Sequence, residues 1–189
     1  MAWRGPWLAV LVAASALAGC AAPQPPGSRA DLQERRAELQ RAVADDPQSF
    51  EPRIRLIRIL FRLGDGVAAE AAVKATIEAG GNRAVLRPLL ARAYAMQGDG
   101  RRAFDELDGG PIAPEMMGEA AWVAGNVHLA NGDLASARDA YDRAVRELPR
   151  DSMLWVDVAR FRNANADIKG ARDAADYAIE LDGTNSAAL

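Results

Sequence analysis

GEAAWVAGNVHLANGDLASARDAYDRAVRELPRD, residues 118–151, is the stretch that decides the fold. Shifting it backward and forward by 34 residues lays the same residue types on top of one another. The column at Ala137 reads Ala69, Ala103, Ala137, Ala171. Four residues earlier the column reads Asp65, Asp99, Asp133, Asp167, and before that Gly64, Gly98, Gly132, Ala166. A period of 34 residues marks stacked helix–turn–helix units, each burying its apolar face only against a neighbour. The columns also carry local chemistry. Glycine enters the left-handed conformation that ends a helix, and aspartate accepts from the free amides that begin the next.

Composition agrees with a helical solenoid. Half of the 189 residues are apolar and only 6% aromatic, which suits helices packed closely through alanine. The formal net charge is −3, and without residues 1–19 (Arg4 and no acid) it is one unit more acidic. Nucleic-acid binding usually leaves a basic footprint, and none is present overall. Cys20 is the single cysteine and His128 the single histidine, so an intrachain disulfide is impossible and a Cys/His zinc site lacks ligands.

Residues 1–19 read as a signal peptide. Arg4 is the positive start, and Leu8–Ala18 is an apolar run too short to span a bilayer, which takes about 20 residues. Leu17-Ala18-Gly19-Cys20 then resembles the lipobox of bacterial lipoproteins, in which the cysteine becomes the lipidated N-terminus. Read without that resemblance, the same residues also fit an ordinary signal peptide with a chance cysteine, or an uncleaved anchor. Residues 20–28 hold Pro23, Pro25, Pro26 and Gly27, an extended tether rather than a helix. Ala21, a residue other than aspartate after the lipid site, implies the outer membrane by resemblance to enterobacterial lipoprotein sorting.

Residues 29–189 form the solenoid. Arg29–Asp45 has Leu32, Leu39 and Val43 at helical spacing among charges, which predicts a capping helix ended before Pro47. Four units follow, 50–83, 84–117, 118–151 and 152–185. The first pairs Phe50–Leu63 with Val67–Ala79. In the second, Arg83–Met96 is followed by a helix from about Gly100 that should stop near Leu107, before Gly109-Gly110-Pro111 and Pro114. Either a weak joint or a harmlessly shortened helix results. Ala166 in place of glycine makes the last turn less favourable. Ser186–Leu189 is placed to begin another first helix, so either the chain continues or a partner covers its last face.

The spacing and the residues in these columns resemble the tetratricopeptide repeat family over the four units. The resemblance implies an all-α, right-handed solenoid whose first helices line a concave groove, with positions two, five, nine and twelve of each unit pointing into it. Position nine carries Arg58, Arg92, Asn126 and Arg160. These form a candidate polar ladder for a protein or peptide ligand, because guanidinium forks suit carboxylates. Arginines paired with acids such as Glu51 and Glu119 are the alternative. The lysine that family members place at position five to clamp a C-terminal carboxylate is missing. Trp122 stands one place later than the family's packing tryptophan, which Trp155 matches. It either turns about 100° toward the groove or tucks back inside.

Enzyme chemistry finds no support. His128 occupies the position of Leu60 and Tyr94, a packing position, and the aspartate column recurs at turns, where capping explains it. No cofactor and no metal are expected. The reading is a lipid-anchored, periplasm-facing envelope scaffold that assists assembly of a pilus, secretion or polysaccharide-export machine. A periplasmic chaperone for outer-membrane proteins is the runner-up, and a cytosolic adaptor a distant third.

Overall fold

The computed structural model describes residues 27–182. The readings placed on the signal segment, Cys20, most of the tether and Ser186–Leu189 lie outside those residues. The described chain is all-helical, in consecutive packing: α1 (Arg29–Asp45), α2 (Phe50–Arg62), α3 (Gly66–Glu78), α4 (Arg83–Met96), α5 (Gly100–Asp108), α6 (Met117–Ala130), α7 (Leu134–Glu147), α8 (Ser152–Ala164) and α9 (Ile168–Leu181). A single 3-10 turn, Pro114–Met116, precedes α6. The arrangement is a tetratricopeptide-like helical solenoid. No helix among the described residues is long and apolar enough to cross a membrane.

The turn grammar repeats four times with nearly the same geometry. Gly64, Gly98 and Gly132 have φ of 75°, 79° and 76°. The next amide then reaches back to the last turn of the first helix: Asp65 N to the Leu60 carbonyl, Asp99 N to Tyr94, Asp133 N to His128, each 3.0 Å. That long return bond closes the helix end, and it needs the left-handed residue before it. Each aspartate side chain caps the following helix, accepting from the amides of Ala68, Arg102, Ser136 and Gly170 at 2.9–3.1 Å. Ala166 is forced to the same conformation, with φ 60°, and carries a Cβ that glycine lacks. A left-handed residue with a Cβ costs about 1–2 kcal/mol. Ala166→Gly is therefore expected to stabilise the protein by about 1 kcal/mol, after the entropy that glycine gains in the unfolded chain is subtracted. A rise in the urea midpoint at unchanged slope checks it.

The capping bonds also set an acid sensitivity. The amide and side chain of Arg102 hold the Asp99 carboxyl below its ordinary 3.8. The hydroxyl and amide of Ser136 do the same for Asp133. Lowered folded pKa values mean stability that is full above the ordinary value and lost as pH falls through and below it. Melting temperature should thus decline as pH drops below about 4. Asp99→Asn with Asp133→Asn keeps an accepting oxygen that does not titrate, so the double variant should show a shallower acid decline.

The alanine column is buried in three of the four pairs. Ala69, Ala103 and Ala137 have no exposed surface, while Ala171 in the last described pair is half-buried. Two apolar cores meet at α6. Val123 and Val127 pack with Ile57, Leu86 and Leu90, whereas Trp122 packs with Tyr141, Leu154 and Phe161. One helix therefore belongs to both halves of the solenoid.

The irregular second unit is not an open joint. Pro88 sits inside α4 and has no N–H to give the Ala84 carbonyl. That carbonyl instead accepts from Ala113 N at 3.0 Å, which pins the segment after Pro111 to α4. Beside it Arg87, 6% exposed, donates to the Glu106 carbonyl at 2.7 Å and to its carboxylate at 3.2 Å. A Cβ on Gly109 or Gly110 would come within 2.8 Å of the Arg87 guanidinium, so a larger residue at either place would have to displace that side chain. The shortened α5 is replaced by a buried arginine and a borrowed carbonyl.

Candidate functional site

A groove of about 630 Å³ runs along the first helices. Helix α2 contributes Arg55, Arg58, Ile59, Phe61 and Arg62; α4 gives Leu89 and Arg92; α6 gives Glu119 and Trp122. Helix α1 supplies a wall through Arg35, Glu38, Leu39 and Ala42. The α7–α8 connection and the start of α8 add Arg150, Asp151, Ser152 and Met153. Arg62 reaches Asp182 at 2.6 Å, so the first and last described units meet across the groove. Among the described residues, six arginines and four carboxylates line it. Arginines thus outnumber carboxylates in the lining, although Arg35 and Arg55 pair with Asp31 and Glu51 beyond it.

The expected ladder of Arg58, Arg92, Asn126 and Arg160 is not built as a row of free donors. Only Arg58 keeps that character: it is exposed and has no hydrogen bond or ion pair among the described residues. Arg92 is committed to the fold. Its side chain is 11% exposed, pairs with Glu119 at 2.8 Å, and lies over the rings of Trp122 at 3.7 Å and Phe61 at 4.6 Å. Asn126 spends both ends inward, donating to Asp157 Oδ2 at 3.0 Å and accepting from the Tyr141 hydroxyl at 2.6 Å. Arg160 is exposed but pairs with Asp157 at 2.7 Å, and neither Asn126 nor Arg160 lines the groove.

Trp122 corrects the turned-out alternative. It is 1% exposed, so it is not a ring offered to a ligand. Its indole N–H donates to Asp157 Oδ2 at 2.8 Å, and Arg92 covers its groove-side face. Burying so large a ring offsets the cost of desolvating the polar groups around it. Burial first, then the Asp157 charge, pushes the Tyr141 phenol far above its ordinary range, which keeps it a donor to Asn126. Trp122, Asn126, Tyr141, Asp157 and Arg160 thus form one hydrogen-bonded network that ties the groove wall at Trp122 to α7 and α8.

Sequence reasoning missed Asp157 and Arg150. Asp157 has Arg55, Leu89 and Val123 at the same place in the other units, so no column marks it. Arg150 lies in a connection outside the groove positions. The pairing of Arg92 did have a signal, because Glu119 occupies position two of the next unit. Glu51, the other acid considered, pairs with Arg55 on its own helix. His128 is half-buried against Phe104, rings 5.1 Å apart, with Nδ1 3.5 Å from Asp133. What the groove offers a ligand is positive charge and hydrogen-bond donation from guanidinium groups.

A family model described as tetratricopeptide repeat matches residues 30–92. No curated protein matches the chain at a significant level. The match covers α1 to α3 and most of α4, and the glycine or alanine turn, its capping aspartate and the alanine behind it recur at the same spacing in the helix pairs beyond. The chain is thus similar to the tetratricopeptide repeat family over residues 30–92.

Proposed function

We propose that this protein is a non-catalytic interaction scaffold of the bacterial cell envelope, held to the membrane through a lipid on Cys20 and taking a protein partner in its groove. The observation that carries the reading is the arginine-lined groove set within a tetratricopeptide solenoid, a fold whose members bind protein or peptide partners. The lipobox-like Leu17–Cys20 supports the address, facing the periplasm and, from Ala21, on the outer membrane. The finer role is assembly of a pilus, secretion or polysaccharide-export machine. A chaperone for unfolded outer-membrane proteins needs a broad apolar surface. Here Phe50, Val67, Met96, Met117, Ile168 and Tyr177, the exposed large apolar side chains among the described residues, are scattered over five helices and none lines the groove. The acidic net charge argues against nucleic acid.

Two measurements test this. A photo-crosslinking residue in place of Arg55 should trap one discrete adduct in intact membranes. A diffuse smear of many adducts would support the chaperone, and no adduct at all would remove the groove as a partner site. Cys20→Ser should abolish labelling by a palmitate analogue and leave the larger unprocessed form. Equal label on both proteins would overturn the lipid anchor, since thioether and amide acylation both need that cysteine.

A further inference from the structure

Resting on the scaffold reading, we infer that the groove selects an acidic peptide segment of its partner, and that Arg58 and Arg150 are the residues that read it. Of the groove's six arginines, four already hold a carboxylate of this chain: Arg35 with Asp31, Arg55 with Glu51, Arg62 with Asp182, and Arg92 with Glu119. Arg58 and Arg150 are exposed and hold none among the described residues. They come from the first unit and from the third-to-fourth connection, and folding brings them to one cavity. Neither pairs with a carboxylate of the same walls. Glu119 and Asp182 are spent on Arg92 and Arg62, and Asp151 caps α8 through the amides of Met153 and Leu154. Among the described residues, Glu38 is the one lining carboxylate without such a role. Arg58 and Arg150 therefore keep guanidinium donors that no carboxylate among the described residues takes up, and planar forks meet carboxylates with two parallel bonds.

The cavity's form favours a peptide over a lipid headgroup. Its volume lies within the about 300–1,000 Å³ of walled ligand sites, and Leu39, Ala42 and Ile59 interleave with the arginines. A segment that alternates acidic and apolar side chains satisfies both kinds of wall. A membrane surface is met best by a flat basic patch, whereas these arginines stand in a groove that residues of α1 and of the start of α8 also line.

The test uses the full chain in mild detergent and a short fluorescein-labelled peptide of alternating glutamate and leucine. Its glutamine and lysine counterparts are controls, and phosphatidylglycerol vesicles form a separate arm. Wild type should bind the glutamate peptide and neither control, with binding that weakens as salt rises. Arg58→Glu with Arg150→Glu should weaken it by about a hundredfold, roughly tenfold for each arginine that no longer donates to a carboxylate. Circular dichroism melting should be unchanged, because both side chains are exposed and hold no ion pair. Arg101→Glu with Arg172→Glu makes the same net-charge change away from the groove and should leave binding within about twofold. Equal weakening by the two double variants would overturn the assignment in favour of general electrostatics. Binding of the vesicles but not the peptide, abolished in the groove variant, would overturn it in favour of lipid. If the Arg55 crosslink still forms in the groove variant, the acidic-segment inference fails while the scaffold reading stands. If no crosslink forms even in wild type, the scaffold reading itself fails.

Discussion

Trp122→Ala is expected to lower stability by about 4 kcal/mol. The ring is 1% exposed and sits at the junction of the two apolar cores, so its removal leaves a cavity that α6 cannot close without leaving one core or the other. Two polar groups lose their setting as well. The Arg92 guanidinium loses the ring 3.7 Å beneath it, and Asp157 loses one of its donors. Trp122→Phe separates these contributions. It keeps a ring under Arg92 but cannot donate to Asp157, and should cost about half as much. Urea unfolding of both variants checks the order. A loss under about 1 kcal/mol for Trp122→Ala would mean that the ring stands at a solvent-facing surface.

Arg92→Met is expected to cost about 3–5 kcal/mol, because it strands Glu119 as a buried carboxylate without its partner. The two side chains are each 11% exposed and 2.8 Å apart. Replacing both, Arg92→Met with Glu119→Met, should restore most of that loss, since a well-packed apolar pair removes the desolvation cost of both charges. A double variant no more stable than Arg92→Met alone would show that the cation–ring contacts with Trp122 and Phe61, rather than the ion pair, hold the arginine. Either way, charge reversal at Arg92 is a folding variant. Arg58 and Arg150 are the clean probes of the groove.

Trp122 and Arg92 also show where sequence reading stops. Trp122 falls one place after the position that Trp155 occupies, so repeat register alone turns it toward the groove. What draws it inward is Asp157, from the neighbouring first helix, whose carboxylate lies 2.8 Å from the indole nitrogen. No column of the repeat carries that aspartate. Arg92 reads as a groove donor from position nine, and it does line the groove. In the sequence Glu119 is one acid among several within reach of such a donor, and the stack on Phe61 and Trp122 joins side chains of three different helices.

The features legible from the chain were those whose cause is local. Four aspartates at 34-residue spacing cap four helices because a cap bond spans three residues or fewer. Three glycines and Ala166 are left-handed because a helix closed by a long return bond requires it. Alanine at the tight contact recurs because identical units stack identically. By itself, then, the sequence determined the helices, their turns and the kind of solenoid they build. Tertiary structure decided which arginines are free. Pairing is a competition among charges brought together from distant units, as with Arg62 and Asp182 across 120 residues, and only the superhelix places those partners within bonding distance. What the groove has to offer is thus a remainder, the guanidinium donors of Arg58 and Arg150 left over once the other four arginines have found carboxylates of their own.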